Sequence, residues 1–176
     1  MKSVYNKTKV KSWIKKAHKH HSLVYGHGYI TDGYVLLVDE PHMHPTILEV
    51  YGTLTPECRY TAEQFQRFID LPDKPIEVID SHLELVLDSN PEKIGIPRSG
   101  SRLRLRIFYD PKTGKELTID CVYFDLFDNP EVHRFYTNDR MTLLWIICDN
   151  EVVGVVAPYR LQDQLSHVTF KPGQEG

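Results

Sequence analysis

Two apolar runs separated by a two-residue turn, 143–148 and 152–157, constrain this chain more than any other feature. Both are rich in β-branched and aromatic residues, and Asp149-Asn150 between them supplies a tight turn, so the pair reads as a β-hairpin. Neither run alternates polar with apolar. Strands that are apolar at nearly every position are covered on both faces, which puts this hairpin in the middle of a sheet. The second run ends in Pro158-Tyr159-Arg160-Leu161, placing a ring, a guanidinium and a leucine at the sheet's rim.

A chain of 176 residues can bury such a sheet without disulfides or metals. One domain is expected over 1–161, followed by a polar tail, 162–176, with no periodicity. The three cysteines lack C-x-x-C spacing, and Cys148 falls inside the hairpin, so a reduced, cytoplasmic protein is expected. No apolar stretch approaches the ~20 residues of a membrane span, and the N-terminus has no signal-like apolar block.

The net charge is −3, yet its distribution is uneven. Val10, Trp13, Ile14 and Ala17 fall at i, i+3, i+4 and i+7, the signature of one buried helical face. The rest of that helix carries Lys7, Lys9, Lys11, Lys15, Lys16 and Lys19, with no Asp or Glu before Asp32. Such a basic island either solvates the helix or attracts phosphate without reading sequence. A second basic row, Arg102, Arg104 and Arg106, alternates with Leu103, Leu105 and Ile107, so one strand face is basic and the other buried. These arginines either join the lysines in a phosphate-tracking surface or pair with Glu77, Asp80 and Glu84 on a neighbouring strand.

Elsewhere, 23–29 and 34–38 read as a hairpin turning at Asp32-Gly33, with Gly26 and Gly28 marking a bulge or a close backbone approach. Pro41 and Pro45 bound a segment expected to be an extended loop, and 46–54 is expected to be a strand. Thr61-Ala62-Glu63-Gln64 has the form of a capping box, opening a short helix with Phe65, Phe68 and Ile69 on one face. A strand over 75–87, a loop over 88–100, a hairpin turn at 110–114 and helical turns over 123–127 complete the reading.

For catalysis the sequence offers little. No nucleophile elbow is present, and Cys121 and Cys148 lie in apolar runs where a thiol is a small hydrophobe. His42-x-His44 would seed a zinc-dependent hydrolase, but the spacing lacks the H-E-x-x-H form or a cysteine pair, so surface histidines are expected and no metal or cofactor.

Two stretches resemble bacterial DNA sliding clamps, the ring-shaped processivity factors of polymerases. Residues 30–36, Ile-Thr-Asp-Gly-Tyr-Val-Leu, are similar to the clamps' T-D-G-H-R-L segment. Residues 155–161, Val-Val-Ala-Pro-Tyr-Arg-Leu, are similar to the V-V-M-P-M-R-L segment that ends them. The resemblance implies an α+β, processivity-clamp-like domain with antiparallel sheets and two or three short helices. It implies a non-enzymatic module of DNA metabolism whose lysine helix meets duplex DNA. It also implies a peptide-binding rim of Thr31, Asp32, Gly33, Val156, Pro158, Tyr159, Arg160 and Leu161. Tyr34 and Val35 replace the family's His-Arg pair, and Ala157 and Tyr159 replace its methionines, implying a narrower, more aromatic pocket. A clamp ring is assembled from several such domains and this chain has length for one, which implies a homo-oligomer or another use of the fold. The alternative reading is a protein-interaction domain that never contacts nucleic acid.

Overall fold

The computed structural model describes residues 4–88, 102–128 and 133–159. Among these, nine strands form a single antiparallel sheet: β1 (Val24–Gly26), β2 (Tyr29–Thr31), β3 (Val35–Val38), β4 (Ile76–Asp88), β5 (Arg102–Tyr109), β6 (Glu116–Asp120), β7 (Arg134–Thr137), β8 (Leu144–Cys148) and β9 (Glu151–Val156). Their spatial order is β1-β2-β3-β9-β8-β7-β4-β5-β6. The β8–β9 hairpin is central, as its composition requires, and its turn residues Asp149 and Asn150 both adopt left-handed φ, 51° and 66°. One face of this hairpin, through Leu144, Ile146 and Val156, packs into the larger core with Val10, Ile14 and Ile47. The other, through Trp145, Ile147 and Val155, packs with Phe65 and Ile69. Each alternate side chain therefore has its own apolar layer.

Among the described residues four α-helices flank the sheet: α1 (Lys7–Lys19), α2 (His44–Tyr51), α3 (Ala62–Ile69) and the single turn α4 (Cys121–Phe124). In α1 the buried residues are Val10, Trp13, Ile14 and Ala17, and Asn6 caps the helix by accepting from the Lys9 amide. Helix α3 begins at Thr61 with the complete capping box.

Several expectations are corrected. The sheet is single rather than plural, and the helices number four rather than two or three among the described residues. The segment from Pro41 is a 3-10 turn (Pro41–Met43) that runs directly into α2, not an extended loop and a strand. Each proline occupies the first turn of its helical segment, where its missing N–H costs nothing. Thr46 and Ile47 then face the core, and Gly52, at φ 75°, ends the helix in the left-handed conformation. The run 23–29 is split by a turn at His27-Gly28, so that β1, β2 and β3 form a three-stranded meander. Gly26 does mark a close approach, since a Cβ there would lie 2.7 Å from Cys58 Sγ. Strand β7 had no counterpart in the sequence reading. Most of the expected 88–100 loop, the tail 162–176, and Arg160 and Leu161 lie outside the described residues.

The sheet curls upon itself. Beyond β9 the chain reaches the opposite edge strand β6, where the Tyr159 amide donates to Thr118 O at 2.8 Å and Thr118 Oγ1 donates to Tyr159 O at 2.6 Å.

Candidate functional site

The two stretches that resemble clamp segments lie side by side. Strand β3 pairs with β9 in the register Val35↔Val156 and Leu36↔Val155, and the Ala157 amide donates to Tyr34 O at 2.8 Å. Ahead of β3, Asp32 builds the turn. Its Oδ1 accepts from the amides of Tyr34 and Val35, and its Oδ2 accepts from Trp13 Nε1 at 3.0 Å, tying the turn to α1. The Tyr123 hydroxyl lies against the same carboxylate, and burial together with that negative charge raises its pKa well above the ordinary phenol range. Thr31 Oγ1 closes the turn by donating to Val35 O and accepting from the Gly33 amide. Gly33 sits at φ 95°, which disfavours a side chain.

On the α3 side of this junction an apolar cleft of about 90 Å³ opens, lined by Thr31, Gly33, Tyr34, Val35, Leu36, Tyr60, Phe65, Phe68, Leu143, Val155 and Ala157. Tyr34 and Phe68 are unusually open for aromatics, at 63% and 47% exposure. Of the expected rim, Thr31 and Gly33 line the cleft. Asp32 is committed to the turn and Val156 points into the opposite core with no exposed surface. Tyr159 is held against β6. Residues of α3 complete the cleft, and the sequence reading assigned them only to packing. The signal available was Phe68 at i+3 from Phe65, an aromatic more than one narrow helix face requires.

The basic residues converge in part. All six lysines of α1 are exposed. Lys9 Nζ and Arg104 Nη1 approach the same atom, Asp125 Oδ2, at 3.7 and 3.9 Å, which brings the lysine helix and the arginine strand together. Lys15 pairs with Glu49 of α2 at 3.3 Å. Lys11, Lys16 and Lys19 have no carboxylate partner among the described residues. The arginines also pair across strands. Arg104 takes Glu84 in a fork at 2.9–3.1 Å, and Arg106 takes Asp80 at 2.7 and 2.9 Å, with its guanidinium carbon 5.2 Å from the centre of the Phe124 ring. Arg106 is thus largely enclosed, and Arg102 begins β5 opposite Asp88.

His42 and His44 bond to different carboxylates, and His42, 15% exposed with Nε2 buried, is not the surface histidine expected. His42 Nδ1 meets Glu40 at 3.1 Å, and His44 Nε2 meets Asp39, which also accepts from Tyr25 at 2.7 Å. Among the described residues no group of three or more His, Cys, Asp or Glu side chains is arranged to hold a metal ion. Burial pushes the Cys121 thiol up to about 11, so it stays protonated at neutral pH. No helix of the described residues is long and apolar enough to cross a membrane.

Comparison of the chain with protein-family models, with curated proteins and with solved structures returns no match.

Proposed function

We propose that this chain is a non-catalytic, sliding-clamp-like binding module of DNA metabolism that meets the DNA backbone through the outward face of α1. The observation that carries this reading is the meeting of Lys9 and Arg104 at Asp125, on a helix whose Lys11, Lys16 and Lys19 have no carboxylate partner among the described residues. Cations on a rigid helix supply the sequence-independent part of phosphate recognition, which weakens steeply with salt. Reversing Lys9, Lys11, Lys15, Lys16 and Lys19 to glutamate is expected to abolish duplex binding and flatten its salt dependence. An unchanged affinity and slope in that variant sinks the reading and leaves a protein-interaction domain without nucleic-acid contact.

A second reading rests on the cleft. Exposed Tyr34 and Phe68 flanking an apolar floor suit the anchor side chain of a short partner peptide, which the small volume limits to one or two apolar groups. Peptides selected on the wild-type protein from a displayed library should lose binding to Phe68→Asp. Retention of the same peptides at equal affinity removes the cleft from consideration.

A further inference from the structure

The flank of α1 that faces the Asp32 turn carries more than charge. Lys9, Trp13 and Lys16 fall at i, i+4 and i+7, so they share one side of the helix. Trp13 fixes that side to Asp32, and Lys9 fixes it to Asp125 of the α4 corner. Between these two anchor points lies an aromatic pair. Tyr34 leans on Tyr123 with ring centres 6.2 Å apart and planes inclined by 23°, and Tyr34 shows most of its surface to solvent. The turn itself is held by the Asp32 and Thr31 hydrogen bonds, to which the Tyr34 side chain contributes none. Three carboxylates lie nearby: Asp32 accepts from Trp13 and two amides, Asp120 accepts from the Val122 amide, and Asp125 meets the cations Lys9 and Arg104.

We infer that this surface binds single-stranded nucleic acid, with an unstacked base on the Tyr34 ring and the adjoining phosphates along Lys9 and Lys16. A duplex keeps its bases stacked inside, so it has no use for an exposed ring. A single strand presents a π-face at every nucleotide, and an aromatic platform beside a row of cations is the arrangement that holds it without choosing a sequence. The inference rests on the phosphate-binding reading of α1 and adds the strandedness of the ligand.

The test is fluorescence anisotropy with labelled oligothymidylate and with a duplex carrying the same number of phosphates, at low and at moderate salt. The wild-type protein is expected to favour the single strand. Tyr34→Ala should weaken that binding about tenfold and leave the duplex affinity within about twofold, while Tyr34→Phe, which keeps the ring, should retain both. Lys9→Glu with Lys16→Glu should weaken both ligands. Equal losses for the two ligands in Tyr34→Ala, no loss for either, or a wild-type preference for duplex overturns the single-strand assignment while the phosphate reading stands. No binding of either ligand by the wild type overturns both.

Discussion

Gly154 shows how one atom governs the centre of the sheet. Its backbone is ordinary, but a Cβ there would be driven into the Phe127 ring while 3.4 Å from Leu36 O. Phe127 is itself 4% exposed and packed on Tyr5 with ring centres 5.6 Å apart, so it has nowhere to retreat. Gly154→Ala is therefore expected to destabilise the fold by about 1–3 kcal/mol, read as a lower urea midpoint at unchanged slope. His42 is a second single-residue case. Its Nε2 is buried without a hydrogen-bond partner among the described residues. Desolvation lowers its pKa below the ordinary 6.5, with Lys7 acting in the same direction, against the raising effects of Glu40 and Asp39. A lowered histidine pKa means that the unfolded chain binds the proton more readily. The stabilisation from neutral His42 is complete above 6.5, declines as pH falls from there toward the folded-state value, and is flat below it. The stability gap between wild type and His42→Gln should shrink on acidification through that window. A gap that widens instead shows that the Glu40 pairing outweighs burial.

The β4–β5 ribbon carries the main electrostatic contrast between elements. Arg104 and Arg106 sit on the same strand face, yet Arg106 retains 17% of its side-chain exposure against 50% for Arg104, and its partner Asp80 retains 9%. Asp80 also accepts from the His82 amide at 2.8 Å, holding the register shift where His82 takes left-handed φ. Arg106→Ala would leave that enclosed carboxylate uncompensated and is expected to cost roughly 2–3 kcal/mol, below the ~3–5 of a fully buried pair. Arg104→Ala, in solvent, should cost no more than about 1 kcal/mol. Equal urea midpoints for the two variants would show that Asp80 is relieved by water. The alternation of arginines with leucines was legible over 103–106 because a strand's period of two needs only the strand itself, but it breaks beyond, where Ile107 is half-buried and Phe108, on the arginine side, is fully buried. The same holds for α1, whose buried face follows from four positions, and for the central hairpin. Helix α2 was hidden because Thr46, Ile47 and Val50 have strand-like side chains, while the deciding factors, prolines at helical first turns and a core waiting for Ile47, are positional and tertiary. The cleft was half legible for a similar reason. Thr31 and Gly33 belong to a recognisable segment, whereas Phe65 and Phe68 join them only because α3 packs across a sheet whose order the sequence does not state. Nor does it state that β9 turns Val156 inward while Val155 faces the cleft.

At the scale of the molecule, the contact that closes the curl is the bridge between Thr118 and Tyr159. Strand β6 is last in the sheet order and β9 is fourth, so this bridge returns the far edge to the middle of the chain's own ladder. It also sets the path of Ala157 and Pro158, which leave the cleft for β6. Two forces hold the closure: the paired hydrogen bonds at Thr118, and the apolar packing of Leu117 and Ile119 into the larger core. Thr118→Val separates them, because it removes the 2.6 Å bond to Tyr159 O and keeps the volume and the backbone acceptor for the Tyr159 amide. The substitution is expected to cost about 1 kcal/mol. Hydrogen exchange then locates the loss. If the side-chain bond holds the edge, the Tyr159 amide exchanges faster in Thr118→Val while the Ala157 amide, bonded to Tyr34 O, keeps its protection. If core packing alone holds it, both amides exchange as in the wild type and the stability is unchanged. A joint change at both amides would mean that the β3–β9 junction, with the cleft on one side of Tyr34 and the lysine flank on the other, opens and closes together with the curl.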